Sequence, residues 1–492
     1  MSNPLALLPL AVAAGGGHIA AASDSGTVFE AQQLIAAGLT LLQRSAPLVR
    51  ALSGRRSAIL LPASPPYLTA LAASDGRGAV LINPLAAVAE IAFQCADANV
   101  GAIFTSSAFA ARLPNGLPVV LLDNAPLQAT VVADGRTIDV DLGSHHGLAL
   151  EGERDVDGRD EEVAIVYTSA MRGTALGAVL THRNLIANAR STIEALHITS
   201  SEHVLAALPF AHLFGLTVTA SAPLMVGGRV TTMERFNPLK AIELMQSGVT
   251  LLVGVPAVYH ALLTAIMRKG IDLRDGTLRL AICGGAPLSV ELQDRWADAT
   301  GHELRQGYGL TEAGPVCLVN RVDRPNVRGT MGTALPRVDV AILPPADYSN
   351  GASEAPEVDA VPDGTEGEIC VRGENVFRGY LHNAAGLPMR GDWLCTGDRG
   401  VREADGSVRF LGLLKPMFTR NGFNVYPREV ERVVGAMPGV IRVDVRSRPD
   451  PVKENDVILR VFGSVSEEDV KRWCEERLSA YKQPGVIEIV PG

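Results

Sequence analysis

The chain has 492 residues, of which 47% are hydrophobic and 20% charged, with a formal net charge of −9. That length exceeds one ordinary core and suits two or more domains. No Lys/Arg block stands out and aromatic residues make up only 5%, which argues against a nucleic-acid partner.

The first stretch, "PLALLPLAVAAGGG", is apolar and carries an A-x-A pattern, but no Lys or Arg precedes it and Pro4 and Pro9 interrupt it. A packed N-terminal helix is expected there rather than a secretory signal. No run reaches the length of a membrane span. "TVFEAQQLIAAGLTLLQRSAPLVRAL" has helical spacing. "SAILLP", "AVLIN" and "GAIFT" then alternate as strands with the helix-like "PPYLTALAASDGRG" and "AVAEIAFQCADAN". This rhythm predicts a parallel sheet covered by helices. It recurs in "HVLAALP", "NPLKAIELMQSG", "TLLVGVP", a long helical stretch and "LRLAICGG". Residues 344–366 are rich in Pro, Gly, Ser and acids and read as an exposed loop. Short β-like segments follow, and from about residue 415 the text becomes a small α+β unit. The six cysteines (Cys95, Cys283, Cys317, Cys370, Cys395, Cys474) form no C-x-x-C pair. They are expected as reduced, buried thiols of a cytosolic protein.

Between the two alternating regions lies "YTSAMRGTALGAVLTHRNL", residues 167–185. Ser169, Gly173 and Gly177 stand between a strand-like and a helix-like stretch, as in a phosphate loop, but Leu176 stands where such a loop carries lysine. Four further segments accompany it: "ICGGAPLS" (282–289), "QGYGLTEAGPV" (306–316), "LCTGDRG" (394–400) and "FLGLLKPMFTRNGFNVYPREVE" (410–431). Together, in this order, they resemble the adenylate-forming superfamily of acyl-CoA synthetases, peptide-synthetase adenylation domains and luciferases. "YGLTE" and "NGFNVYPREVE" are the most specific parts.

The resemblance implies an α/β fold. A large N-terminal domain of stacked α/β subdomains with a small β-barrel-like part would span 1–411, a hinge 412–416, and a small mobile α+β domain 417–492. It implies a cytoplasmic AMP-dependent ligase of fatty or aryl acid metabolism. Such an enzyme joins a carboxylic acid to ATP, with Mg2+, and releases pyrophosphate. It then passes the acyl group from acyl-AMP to coenzyme A or to the phosphopantetheine of a carrier protein.

Roles follow residue by residue. Gly284, Gly285 and Ala286 leave room for a flat adenine to approach the backbone. Tyr308 resembles the aromatic residue that stacks on adenine. Thr311 offers a hydroxyl to the α-phosphate and the substrate carboxylate, and Glu312 is a hard oxygen ligand of the kind magnesium takes. Asp398 matches the carboxylate that accepts from both ribose hydroxyls. Ser169 and Gly173 belong to the phosphate loop, and Lys415 to the nucleotide side of the hinge. His212 in "LPFAHLFGL" resembles the residue bordering the acyl site, with a satisfied core histidine as the equal alternative. Gly215, Val255, Ala257 and Ala313 are small and apolar. They favour an apolar or aromatic acid over a charged amino acid, whose amine needs a buried acidic partner. Plainer readings stand beside these: a strand-to-helix turn for the glycines, a core tyrosine, a solvated loop acid and a turn aspartate.

Three departures predict low or altered activity. The family loop reads approximately S-G-T-T-G-x-P-K-G; here it is S-A-M-R-G-T-A-L-G. Ala170, Met171 and Leu176 thus replace a glycine, a hydroxyl and a cation. Arg172 is the cation available to compensate, although a loop arginine is ordinarily solvated. At the hinge, G-R-x-K/D-D becomes Gly412-Leu413-Leu414-Lys415-Pro416, which loses the arginine that helps hold ribose and adds a proline that narrows rotation. The sequence "YKQPGVIEIVPG" stops at Gly492, before the family's P-R-T-x-x-G-K lysine. Lys415 and Lys482 are nearby cations at other positions. A lost preorganised donor costs about 10²–10³-fold in turnover. Two other readings therefore stay open. One is a non-catalytic protein, or partner subunit, that binds a nucleotide, an acyl-adenylate or an acyl thioester. The other is an ATP-independent acyl transferase.

Overall fold

The computed structural model describes residues 19–74, 78–123, 127–143, 160–168, 175–345, 359–383, 389–414 and 417–490. Among these, two nine-stranded sheets build the large N-terminal domain, joined by a five-stranded antiparallel sheet at the place expected to be barrel-like. The expected N-terminal helix lies outside the described residues.

The first alternation forms as read. Strands Arg56–Leu60, Ala79–Leu81 and Val100–Thr105 run parallel with the first in the middle. Helices Pro65–Ala73 and Val88–Asp97 connect them. The second gives adjacent parallel strands His203–Ala206, Leu251–Gly254, Leu280–Cys283 and Leu304–Gly309. "LLVG" and "LAIC" are buried at every position, as a sheet covered on both faces requires. Tyr259, from helix Pro256–Lys269, ties two of these strands. Its buried hydroxyl donates to the carbonyls of Leu252 at 3.2 Å and Ile282 at 2.8 Å.

One helical reading begins too early. Val28–Glu30 is a strand that pairs with Ile19–Ser23, and the helix runs Ala31–Arg44. Gln33 Oε1 accepts from the Glu30 amide at 2.9 Å and starts the helix there. The sheet edge claims Val28 and Phe29, a tertiary choice that local spacing does not show.

The smaller C-terminal domain opens with the hairpin Phe418–Arg420 and Phe423–Val425 and the helix Pro427–Gly435. It continues as strands Val440–Asp450, Glu454–Gly463 and Val486–Val490 with helix Glu467–Arg477. Val430 and Val434, one helical turn apart, pack with Val457, Leu459 and Val461, which alternate along a strand, and with Val470 and Cys474.

Candidate active site

A cavity of about 610 Å³ opens at the carboxyl ends of the parallel strands and runs on between the two domains. This is where open α/β sheets place ligands, because successive strands hand the chain to loops that face one crevice. Gly284 and Gly285 follow strand Leu280–Cys283 directly. A Cβ on Gly284 would meet Phe214 Cζ at 2.9 Å, and Gly285 has φ +76°. The positive φ favours glycine at 285, and at 284 a Cβ would press on the Phe214 ring and lie 3.2 Å from the Gly307 carbonyl.

Tyr308 ends strand Leu304–Gly309, and Thr311–Ala313 make a single 3-10 turn. Two asparagines of helix His182–Leu196 tie the loop that follows and the segment 374–376 to the helix. Asn188 Nδ2 donates to the carbonyls of Ala313 and Val316, and its Oδ1 accepts from the Val316 amide. Asn184 Nδ2 donates to Glu374 and Val376 carbonyls, while its Oδ1 accepts from the Thr181 amide at the helix start. In "HRNLIANAR" the two asparagines stand four apart and so share one helix face. That spacing is the signal by which the sequence could have disclosed them.

Glu312 faces the cavity with its Oε1 accepting from Tyr380 Oη at 2.8 Å and Thr168 Oγ1 at 3.2 Å. Burial, then the Glu312 charge, pushes the Tyr380 hydroxyl well above the ordinary phenol range, so it stays a donor. Asp398 lies on strand Trp393–Arg402, and its Oδ2 accepts from Tyr308 Oη at 2.6 Å. Burial, then Asp398, raises the Tyr308 hydroxyl in the same way. The neighbouring strand holds Asp398 in place. Thr396 Oγ1 donates to the Ile369 carbonyl at 2.7 Å and accepts the Asp398 amide, and Glu368 accepts the Gly397 amide.

His212 is half-buried on the cavity wall. Burial pushes its imidazole down to about 4. Its Nδ1 accepts from the Phe214 amide at 3.2 Å, which leaves the proton on Nε2. Its ring meets Phe423 of the small domain edge-on at 6.3 Å, and Phe423 stacks on Tyr481 at 4.6 Å.

The structure therefore brings His212, Gly284, Gly285, Ala286, Tyr308, Thr311, Glu312 and Asp398 to one cavity. Gly215, Val255, Ala257 and Ala313 are not among the residues that line it. Gly215 is small for another reason: a Cβ there would meet the Pro209 carbonyl at 2.4 Å inside the π-helical turn Phe214–Ser221. Ala313 is fully buried. Val255 packs against Gly422 of the small domain. Ser169, Arg172, Gly173 and Lys415 lie outside the described residues.

The two leucines at altered positions have telling places. Leu176 stands opposite Thr168 in paired strands, and Thr168 in turn bonds the Glu312 carboxylate. Leu413 stands opposite Asp398 in register and lines the cavity. Among the described lining residues the cationic side chains are Arg432, Arg477 and Lys482, all from the small domain. Glu90, Thr168, Tyr380, Phe423, Glu429 and Tyr481 line the cavity too, and none was singled out from the sequence. All six cysteines are buried and free. Cys370 and Cys395 nonetheless meet across paired strands at 3.5 Å, next to Glu368.

Comparison with known proteins agrees with this geometry. The family model for AMP-binding enzymes matches residues 48–381. A feruloyl-CoA synthase from an Amycolatopsis species is 31% identical over 446 residues, covering 88% of this chain and 84% of its own length. A long-chain-fatty-acid–CoA ligase from Escherichia coli O6:H1 is 28% identical over 476 residues, covering 88% of this chain and 82% of its own. A malonyl-CoA ligase solved as a ternary product complex with methylmalonyl-CoA and AMP superposes with a TM-score of 0.79 at 25% identity, covering 99% of this chain and 98% of that one. Among the described residues no helix is long and apolar enough to cross a membrane.

Proposed function

The chain belongs to the family of AMP-binding enzymes, of the acyl-CoA ligase type, and from that premise we propose that it activates an apolar or aromatic carboxylic acid as acyl-AMP for transfer to a thiol. The observation that carries this reading is the pairing of Tyr308 with Asp398 and of Tyr380 and Thr168 with Glu312 on one cavity wall. Neutral hydroxyls orient these carboxylates and bring no counter-charge of their own.

In this reading Asp398 holds the ribose, the Gly284–Gly285 turn faces adenine, and Thr311 donates to the α-phosphate and the acid. The acid's carboxylate attacks the α-phosphorus, and pyrophosphate leaves. The acceptor thiol then attacks the acyl carbon, and AMP leaves. A magnesium ion fits Glu312, a hard oxygen donor held in place by two hydroxyls, and would neutralise phosphate charge there. The acyl end is bordered by His212, Phe214, Val316 and Met331. None of these four side chains is anionic, so they offer a charged amine no acidic partner. Relatives named for ferulate and for long-chain fatty acids support an apolar acid.

Adenylation is slow in this reading, because Leu176 and Leu413 put hydrocarbon opposite Thr168 and Asp398, at positions where the family pattern has cations. The boundary between the domains falls at 412–416. Arg432 and Arg477 flank the part of the cleft between the domains and suit the phosphates of coenzyme A or a carrier protein's phosphopantetheine.

ATP–pyrophosphate exchange and thioester formation with a panel of aryl and alkyl acids test the proposal. Exchange with at least one apolar acid is expected. Tight AMP binding with no exchange for any acid would favour a nucleotide-binding protein instead.

A further inference from the structure

The chemistry above leaves unused a buried cation that joins the two domains. Lys482 Nζ donates to Glu90 Oε1 at 2.8 Å and to Glu429 Oε1 at 2.7 Å. Its side chain is 5% exposed, and those of the two carboxylates are 16% and 7% exposed. Burial works to lower the ammonium's affinity for its proton, but Tyr481, Glu429 and Glu90 outweigh it and hold Lys482 above the ordinary lysine range. The ammonium therefore keeps its charge.

The partners come from both domains. Glu90 sits on helix Val88–Asp97 of the large domain, while Glu429, Ser479 and Lys482 belong to the small one. The second oxygen of Glu90 accepts from the Ser479 hydroxyl and, at 2.7 Å, from the Ala87 amide that begins its own helix. A path of contacts leads from this cluster to the acyl site. Tyr481, next to Lys482, stacks on Phe423, and Phe423 meets His212. In the same hairpin, Gly422 packs against Val255, with its carbonyl near the Gly285 turn.

Of this cluster's bonds, separating the domains would break Glu90–Lys482 and Glu90–Ser479. The Lys482–Glu429 pair lies within the small domain and would survive. Glu90 would keep its hydrogen bond to Ala87. Neither state would strand a buried charge, which is the condition for a contact that can close and open.

We propose that Glu90 is a positioning residue for acyl transfer: through Lys482 and Ser479 it seats the hairpin 418–425 over the cavity, against His212 and the glycine turn. The proposal rests on the ligase reading for its catalytic consequence and on the cluster alone for the seating.

The test uses the full chain and four proteins: the parent, Glu90→Gln, Ser479→Ala, and the exchange Glu90→Lys with Lys482→Glu. The exchange keeps one cation and two carboxylates in the cluster and keeps the attraction between domains. Hydrogen exchange reads the hairpin amides. Single-turnover transfer from benzoyl-AMP or octanoyl-AMP to coenzyme A reads the chemistry, alongside ATP–pyrophosphate exchange. In Glu90→Gln the hairpin amides should exchange at least tenfold faster, and transfer should fall at least tenfold more than pyrophosphate exchange does. Ser479→Ala should move both in the same direction by less, and covers the case in which Glu90→Gln misfolds. The charge exchange should recover most of the protection. Parental protection in both single variants would overturn the seating. Faster amide exchange with transfer and pyrophosphate exchange falling equally would overturn the positioning role. If the parent transfers no acyl group at all, the ligase reading fails, and the hairpin protection still decides the seating.

Discussion

At one end of the cleft, beside the glycine turn, hydroxyl groups hold the carboxylates: Thr168 and Tyr380 for Glu312, Tyr308 for Asp398. At the other, where the small domain meets helix Val88–Asp97, Glu90 and Glu429 share the ammonium of Lys482. The chemical groups are alike and the consequences opposite. A hydroxyl fixes the direction of a carboxylate and brings no counter-charge. An ammonium offsets charge and ties together the pieces that carry it. Ion pairing serves assembly at one end, and neutral hydrogen bonds orient carboxylates at the other.

Substitutions can break that contrast at either end. The largest effect is expected from Lys482→Met, which leaves two carboxylates facing each other. Losing one partner of a buried pair costs about 3–5 kcal/mol, and urea titration should show the small domain unfolding in an earlier, separate transition. A single transition at the parental midpoint would mean that Lys482 does not hold the domains. At the other end, Glu312→Gln keeps the shape and removes the charge. Pyrophosphate exchange should fall about 10²–10³-fold, the scale of a lost preorganised electrostatic group, with circular dichroism unchanged.

A pH series separates His212 from both. Burial lowers its imidazole from the ordinary 6.5 to about 4. Between those values the unfolded chain holds a proton that the folded one refuses, so stability should fall as pH drops from 6.5 towards 4 and should not change on this account above 6.5. With a discount for partial exposure to the cavity, the slope is worth on the order of 2 kcal/mol. Thermal melts of His212→Gln should lack it. An identical slope in that variant would assign it to another group.

The smallest change sharpens the contrast by supplying cations where hydrocarbon stands. Leu176→Lys with Leu413→Arg places charge opposite Thr168 and Asp398. It should raise pyrophosphate exchange at least tenfold, about 1.4 kcal/mol in barrier. No gain, together with ordinary ligase rates in the parent, would show that Arg172 or Lys415 already supplies the charge.

The sequence by itself determined the alternation of strand and helix, the family and eight residues that meet at one cavity. Strands buried on both faces must be continuous in apolar residues, as in "LLVG" and "LAIC", and a turn with positive φ favours glycine, as at 285. Such constraints act within a few residues and leave a local mark. Tertiary structure alone decided the rest. Gly215 and Ala313 do not line the cavity: backbone presses on one and buried packing encloses the other. Val28 became a strand because an edge was there to pair with. Glu90 and Lys482 lie 392 residues apart in the chain and carry no motif. Charge pairing depends on distance in space, and nothing in the local text records which lysine will meet which glutamate once two domains close on each other.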